Sequence, residues 1–432
     1  MFRKKQSGNQ LHILERTGEK ISNISWVSCL AIFLAFCLTG TLFLSSCSNA
    51  GQKNEKVQDR VTGQESVSGE EKTVGIDPDR DRNISSQLQF ERSMELTYAQ
   101  EFAVDYYKDG YVLLSISDGS RYLVVPEGAS VPEDLDEEIV ILERPLNNIY
   151  LVASAVMDMF CELDGLDFIR FSALKAEDWY VDEAKKAMDE GKILYAGKYN
   201  SPDYEMIVSE GASLAIENTM IYHTPEVGEK LEGFGIPMLV DYSSYESHPL
   251  GRVEWIRFYG ALLGKEEIAE QAFQTQAEAL KRVEEDENTG KTVAFFYITT
   301  NGAVNVRKSS DYVPKMIELA GGKYIFAQLG DDDSKSSSMS MQMEEFYASA
   351  KEADYLIYNS TIDGELGSVE ELLVKSSLLA DFKAVKEGNI WCVTNDLYQQ
   401  SMSIGIMIED IHSMLGDNRT EQENMQYLYP LE

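Results

Sequence analysis

Residues Tyr245 to Glu287 read YESHPLGRVEWIRFYGALLGKEEIAEQAFQTQAEALKRVEEDE, and this stretch decides the fold. A short helical piece runs to Gly264, which interrupts it. Lys265-Glu266-Glu267 then opens a second helical run with Ile268, Ala272, Ala277, Leu280 and Val283 at helical spacing. No break follows before Asn288-Thr289-Gly290. About twenty helical residues at about 1.5 Å each reach roughly 30 Å, the width of a small domain. A strand-rich, helix-alternating segment lies on each side. The stretch is therefore expected to be a stiff strut between two lobes, with an ordinary core helix as the alternative.

Toward the N-terminus the pattern alternates. Strands are expected at Asn148 to Val152, Phe168 to Phe171, Ile193 to Tyr195, Ser213 to Ile216 and Pro237 to Val240, with helices at Ala153 to Phe160, near Val181 to Glu190, at Asp203 to Ser209 and near Glu226 to Phe234. Toward the C-terminus the rhythm returns. Strands are expected at Thr292 to Ile298, Tyr355 to Tyr358 and Ile390 to Val393, and helices at Tyr312 to Ala320, Met343 to Lys351, Val369 to Leu373 and Met402 to Leu415. Such alternation means βαβ units and largely parallel sheets. Before the first lobe, Lys108-Asp109-Gly110 and Ser117-Asp118-Gly119-Ser120 separate alternating apolar runs, which predicts a small antiparallel meander. The Asp331 to Ser338 run is expected to be a solvated loop.

The first residues are an address. Arg3, Lys4, Lys5, Arg16 and Lys20 precede the apolar run Trp26 to Leu44, which ends in Leu44-Ser45-Ser46-Cys47. A basic segment, an apolar core, small residues and an immediate cysteine make an export signal. The tetrad resembles a bacterial lipobox, which implies lipidation of Cys47 and cleavage before it; an uncleaved membrane anchor is the alternative. Asn49 to about Asn83 has the composition of a flexible tether. The expected organisation is a signal peptide 1–46, a tether 47–87, an N-terminal lobe with its meander 88–250, linker helices 251–287, a C-terminal lobe 288–417 and a tail 418–432.

The chain carries 38 basic and 73 acidic residues, a formal charge of -35. With no basic stripe to displace phosphate counterions, nucleic-acid binding is excluded as an expectation. Of five cysteines, Cys29 and Cys37 lie in the signal, and Cys161 and Cys392 fall in opposite lobes, so no disulfide is expected. No Gly-x-Ser-x-Gly, Walker loop, His-Glu-x-x-His or Cys-x-x-Cys is present, so no enzyme is read here. His223, His248 and His412 are too few for a bare-metal site, and no metal site or cofactor is expected.

The segment order resembles the substrate-binding proteins of bacterial ABC importers for iron-siderophore, haem and cobalamin, whose two α/β lobes are tied by one long helix. The resemblance rests on Pro145 to Tyr150, Pro202 to Ile207 with Ser213 to Ile216, Trp255 to Ala269, Lys315 to Gly322 and Gly388 to Trp391, across roughly residues 90 to 417. It implies a lipid-anchored, extracytoplasmic, monomeric carrier. The cargo would be a metal chelate, and the partner an ABC permease dimer with its ATPase. A corrinoid or haem carrier, or a surface enzyme on the same scaffold, are the rivals.

In open α/β sheets ligands sit beyond the carboxyl ends of the strands. In the first lobe that places Ser154, Tyr199, Asn200, Tyr245, Glu246 and His248 as candidate ligand contacts. In the second it places Asn301, Arg307, Lys308, Tyr312 and Tyr398. Aromatic faces suit a flat or conjugated chelate, and guanidinium or ammonium suits its anionic groups. The resemblance further implies permease docking by an acid opening a helix in each lobe, matched here by Glu205 and by Glu344, with Glu345 as the neighbouring alternative. An acid in a first helical turn also offsets the helix dipole, by roughly 0.3–1 kcal/mol.

Overall fold

The decisive stretch divides its two roles between its halves. Pro249 supplies a preset φ at the start of helix α5 (Pro249–Leu263), and His248 caps it, Nδ1 accepting from the Leu250 amide at 3.1 Å. Gly264 ends it in the left-handed conformation, φ 74°, and α6 (Glu266–Glu284) follows. A Cβ on Gly260 would stand 2.5 Å from that of Ala269, so only glycine lets the two helices pack this closely. Arg144 closes the other end of α5, donating to the carbonyls of Ala261 and Leu262, where a cation also suits the helix dipole. Thirteen of the fifteen α5 residues are buried, so α5 is a central core helix, whereas α6 buries a single stripe from Ala269 to Val283 and forms the strut.

The computed structural model describes residues 76–285, 288–330, 337–362, 364–416, 422 and 424–432. Cys47, the signal, the tether as far as residue 75 and the loop 331–336 lie outside the described residues. Among the described residues no helix is long and apolar enough to cross a membrane.

The leading sheet runs β1 (Phe90–Ser93), β2 (Phe102–Tyr107), β3 (Val112–Ile116), β4 (Arg121–Val125) and β5 (Ile139–Glu143) in that order. Its first four strands are antiparallel, as the Asp-Gly turns predict. β5, the apolar run Ile139 to Leu142 that the sequence reading passed over, instead returns over a long loop to pair parallel with β4. One face packs on α5 through Phe102, Val112, Leu114 and Val124. Two buried carboxylates then bolt the sheet to the helix. Glu254 accepts from the amides of Thr97, Tyr98 and Ala99, and Glu246 from those of Gln100 and Glu101 and from Trp255 Nε1. Five successive backbone donors are thereby satisfied at the point where the chain turns into β2.

The first lobe contains β6 (Ile149–Leu151), α1 (Ser154–Glu162), β7 (Ile169–Ser172), α2 (Asp182–Asp189), β8 (Leu194–Tyr195), the small hairpin β9 (Gly197–Lys198) and β10 (Ser201–Pro202), α3 (Tyr204–Ser209), β11 (Ala215–Asn218), α4 (Pro225–Gly233) and β12 (Met238–Asp241). Its sheet is wholly parallel, in the order β12-β11-β6-β7-β8, and the direction of winding reverses between β6 and β11. Tyr122 of β4 donates to the Met238 carbonyl at 3.0 Å, so the leading sheet rests on this lobe.

The second lobe runs β13 (Thr292–Ile298), β14 (Val304–Arg307), α7 (Tyr312–Leu319), β15 (Lys323–Tyr324), β16 (Ser338–Met341), α8 (Met343–Ala350), β17 (Tyr355–Tyr358), α9 (Val369–Lys375), α10 (Lys383–Glu387), β18 (Ile390–Val393), α11 (Ile404–Leu415) and β19 (Leu428–Pro430). Its sheet order is β16-β14-β13-β17-β18-β19, with β15 also beside β13. The parallel core is β15, β13, β17 and β18. β14, β16 and β19 are antiparallel, so the segment expected as a tail supplies an edge strand.

Candidate functional site

The carboxyl ends of the two sheets meet along a seam. From the first lobe come Ala155 and Met159 of α1, Ser243 after β12 and Arg252 of α5. From the second come Tyr312 of α7, Leu397 and Tyr398 after β18, Ser401, and Ile404 of α11. They enclose about 10 Å3, room for roughly one water molecule. The lobes stand closed: Ser401 Oγ donates to the Ala155 carbonyl at 2.6 Å, the Met402 amide to Asp158 Oδ2 at 2.7 Å and the Tyr180 amide to Gln399 Oε1 at 2.8 Å, while Gln399 Nε2 donates to the Asp178 carbonyl at 3.0 Å. Two larger hollows, of about 380 and 450 Å3, lie elsewhere. One is at the amino ends of β6 and β7 around Asn148 and Arg170, the other between the leading sheet and α6; neither is at the carboxyl ends where an α/β sheet binds its ligand.

Each wall is fixed by buried chemistry. Asp241 ends β12, and its two oxygens accept from Ser243 Oγ at 2.6 Å and from Tyr259 of α5 at 2.7 Å; burial pushes its carboxyl upward. That pairing holds the turn Ser243–Tyr245 against α5. Arg252 donates to the Ser244 carbonyl at 3.1 Å, and its guanidinium lies 4.0 Å from the Tyr312 ring centre. Among the described residues no carboxylate is ion-paired with Arg252, in a chain with nearly twice as many acids as bases. Its charge also acts on the buried Asp241 carboxyl, opposing the upward push of burial. Opposite it, Tyr398 accepts from Asn359 Nδ2 at 3.2 Å, and Asn359 is buried just beyond β17. The neighbouring Asn395 Oδ1 and Asp396 Oδ1 are buried acceptors without a hydrogen-bond partner in the protein.

The residues expected from sequence fall into four groups. Tyr312 and Tyr398 line the seam. Arg307 stands behind it, its guanidinium 5.8 Å from the Tyr398 ring centre and doubly bonded to the Asp311 carboxylate, the N-cap of α7. Burial opposes its charge, but Tyr398 and Asp311 more than restore it, so Arg307 stays cationic. Ser154 and Tyr245 flank residues of the seam in sequence; Tyr245 is 46% exposed.

The others do not line the seam. Glu246 is held by the leading sheet, and His248 caps α5 while stacking on Tyr98 at 4.4 Å. Lys308 is not on a cleft loop: it directly follows β14 and is buried, its stem so close under Gly330 that a Cβ there would be 2.8 Å away. Asn301 accepts from Thr299 Oγ1 and the Ala303 amide inside the β13–β14 turn, Tyr199 packs on the outer core of its lobe and Asn200 is exposed in the β9–β10 turn. Arg252, Ser243 and Asn359 were missed. The available signal for Arg252 was its place in the opening turn of the helix that ends at the seam.

Glu205 and Glu344 are exposed, each in the first turn of a helix, α3 and α8, with Glu345 also exposed beside the latter. Both helices lead back into a parallel strand, β11 and β17, so both first turns lie on the carboxyl-end side that also carries the seam.

Two α/β lobes joined by a helical strut, with facing carboxyl ends, define the two-lobed binding-protein fold. Solved structures agree. The chain shares this fold with the periplasmic haem binding protein HutB of Vibrio cholerae, at 16% identity and a TM-score of 0.50 over 61% of this chain and 97% of that one. It shares it also with a periplasmic binding protein from Veillonella parvula, at 17% and 0.51 over 62% and 90%. In sequence it is similar to the uncharacterised lipoprotein MJ0878 of Methanocaldococcus jannaschii, 25% identical over 384 residues, 84% of this chain and 86% of the relative. No family model matches.

Proposed function

We propose that the protein is an extracytoplasmic, lipid-anchored binding protein that captures an anionic metal chelate, of the iron-siderophore type, between its lobes and hands it to an ABC permease. The observation that carries this reading is Arg252: a guanidinium in no ion pair among the described residues, backed by Tyr312 and lining the seam with Tyr398, where two sheets present their carboxyl ends. A guanidinium fork matches carboxylate, catecholate or phosphate oxygens, and the phenol rings suit the flat ligand frame. The likeness to a haem binding protein keeps a macrocycle such as haem as the second reading. The ligand enters when the lobes part. Each of the four cross-lobe hydrogen bonds is worth about 0.5–1.5 kcal/mol net, a sum that ligand contacts can offset. Among the described residues the serines and tyrosines of the seam have no histidine beside them in its lining, and the reading is capture and release without covalent chemistry. Docking by Glu205 and Glu344 follows from their shared side and exposure.

A thermal-shift panel of ferric catecholates, ferric hydroxamates, haem and corrinoids tests the reading. A ligand at 100 times its Kd stabilises by about 2.7 kcal/mol. A shift with a ferric chelate supports the proposal, a shift with haem alone moves it to the second reading, and no shift with any of them overturns both.

A further inference from the structure

Three tyrosines beside the seam carry a hydrogen-bond polarity that selects a ligand group. Tyr222 follows β11, Tyr242 and Tyr245 follow β12, and Asp118 sits in the β3–β4 turn of the leading sheet. Asp118 Oδ2 lies 3.1 Å from the Tyr222 hydroxyl, and the Tyr242 hydroxyl lies 2.9 Å from the same oxygen of Tyr222. A carboxylate has no hydrogen to give, so Tyr222 donates to Asp118. Its only hydrogen is then spent, and Tyr242 must donate to Tyr222. Burial first, then Tyr242 and Asp118, hold the Tyr222 phenol far above its usual range, so it remains a donor. The relay ends on the Tyr242 oxygen, whose own hydrogen is used and whose lone pairs are left to accept, with the charge of Asp118 polarising the chain toward them.

The rings form a shelf around that acceptor. Tyr222 and Tyr242 have centres 6.4 Å apart, Tyr242 and Tyr245 5.2 Å. Tyr222 is 51% and Tyr245 46% exposed, as is Met220 beside them at 46%. Among the described residues no arginine or lysine forms an ion pair with Asp118 or lies over any of the three rings. Ser243, which lines the seam, stands between Tyr242 and Tyr245 in the same short turn, so one turn serves both shelf and seam.

We propose that this shelf is a second subsite at the mouth of the cleft that takes a protonated amine of the ligand, the ammonium donating to Tyr242 Oη and lying against the Tyr242 and Tyr245 faces. Asp118 and Tyr222 are positioning residues that act through Tyr242. The subsite rests on the proposed ligand reading for its place beside the seam, and it narrows the cargo to chelates with an anionic part for Arg252 and a free amine at the other end.

The test uses a ferric tris-catecholate chelate bearing a primary amine and its N-acetyl derivative, titrated into the whole protein. A cation over exposed rings plus one hydrogen bond favours the amine form by roughly tenfold. Tyr242→Phe and Asp118→Asn are expected to bring that ratio near one, while Arg252→Ala weakens both chelates alike. A purely structural role would not move the ratio. Equal affinities in the wild type, or a ratio untouched by Tyr242→Phe, overturn the subsite. If neither chelate binds, the ligand reading fails, and the subsite is read alone by titrating n-butylammonium against 13C-tyrosine-labelled protein. A saturable Tyr242 shift, absent with butyrate and in Tyr222→Phe, upholds it; no shift, or an equal one with butyrate, overturns it.

Discussion

Raising the pH is expected to weaken the seam between the lobes, through Asp158. This α1 residue is buried where Met402 of the second lobe donates to it. Burial pushes its carboxyl up to about 7, against 3.8 in an ordinary carboxyl, and the Met402 amide only partly opposes this, while Glu162 on the same helix, Glu183 on α2 and Asp396 from the second lobe add like charge. The folded protein therefore keeps a proton that the unfolded chain releases, and stability falls as pH climbs from the unfolded value toward the folded one. The loss is absent below about pH 4 and fully developed above about pH 7. Between pH 5 and pH 8 it grows by about 2–3 kcal/mol. Asp158→Asn keeps an oxygen for the Met402 amide and removes the titration. Urea unfolding of both proteins at pH 5, 6, 7 and 8 isolates the effect, because Glu217 and Asp410, also raised by burial, cancel in the difference. The variant should gain on the wild type by about 2–3 kcal/mol across that range. A constant gap, or one that narrows, would show that Asp158 holds no such proton and that other buried carboxyls, such as Glu217 and Asp410, set the pH response.

Three further outcomes are expected. Glu254→Ala strips the acceptor from three successive amides, that of buried Ala99 among them, and a buried partner from Arg257, so it should cost about 3–5 kcal/mol in urea unfolding and speed hydrogen exchange at Thr97 to Ala99. Glu217 is fully buried on β11 with neither oxygen hydrogen-bonded, and burial pushes it up to about 8; Glu217→Met should therefore stabilise by about 1–4 kcal/mol at pH 7, read by thermal unfolding. Reversing Glu205 and Glu344 together to lysine should abolish uptake in cells while leaving chelate affinity unchanged; normal uptake would remove both from docking.

Much of the fold was legible because burial on both faces of a parallel strand writes an apolar run, as at Leu214 to Ile216 or Thr292 to Ile298, and because Gly264 punctuates the strut. What escaped was written in contacts. β14, β16 and β19 are edge or hairpin strands whose polar alternation, as in Ser338–Met341, reads as loop until a neighbour pairs with it. The same blindness misplaced site residues. Glu246, His248 and Lys308 carry the right chemistry for a cleft, but sequence does not show that Glu246 meets two distant backbone amides and the Trp255 indole or that Lys308 lies under Gly330. Tyr398 was legible because it follows the parallel strand β18 closely, and Tyr312 because it opens the helix after the β13–β14 hairpin. Arg252 was not, because a basic residue in an amphipathic-looking run reads as solvated until the helix proves buried nearly all round.

Arg252 is also where the whole reading is most exposed to test. Titrating a ferric tris-catecholate into the wild type and into Arg252→Ala, followed by intrinsic fluorescence, compares one charge-assisted contact directly. That contact is worth about 1.5–3 kcal/mol, so the variant, checked to be folded at the titration temperature, should bind about ten- to a hundredfold more weakly. Undiminished affinity in the variant, or no binding of any anionic chelate by the wild type, would contradict capture between the lobes.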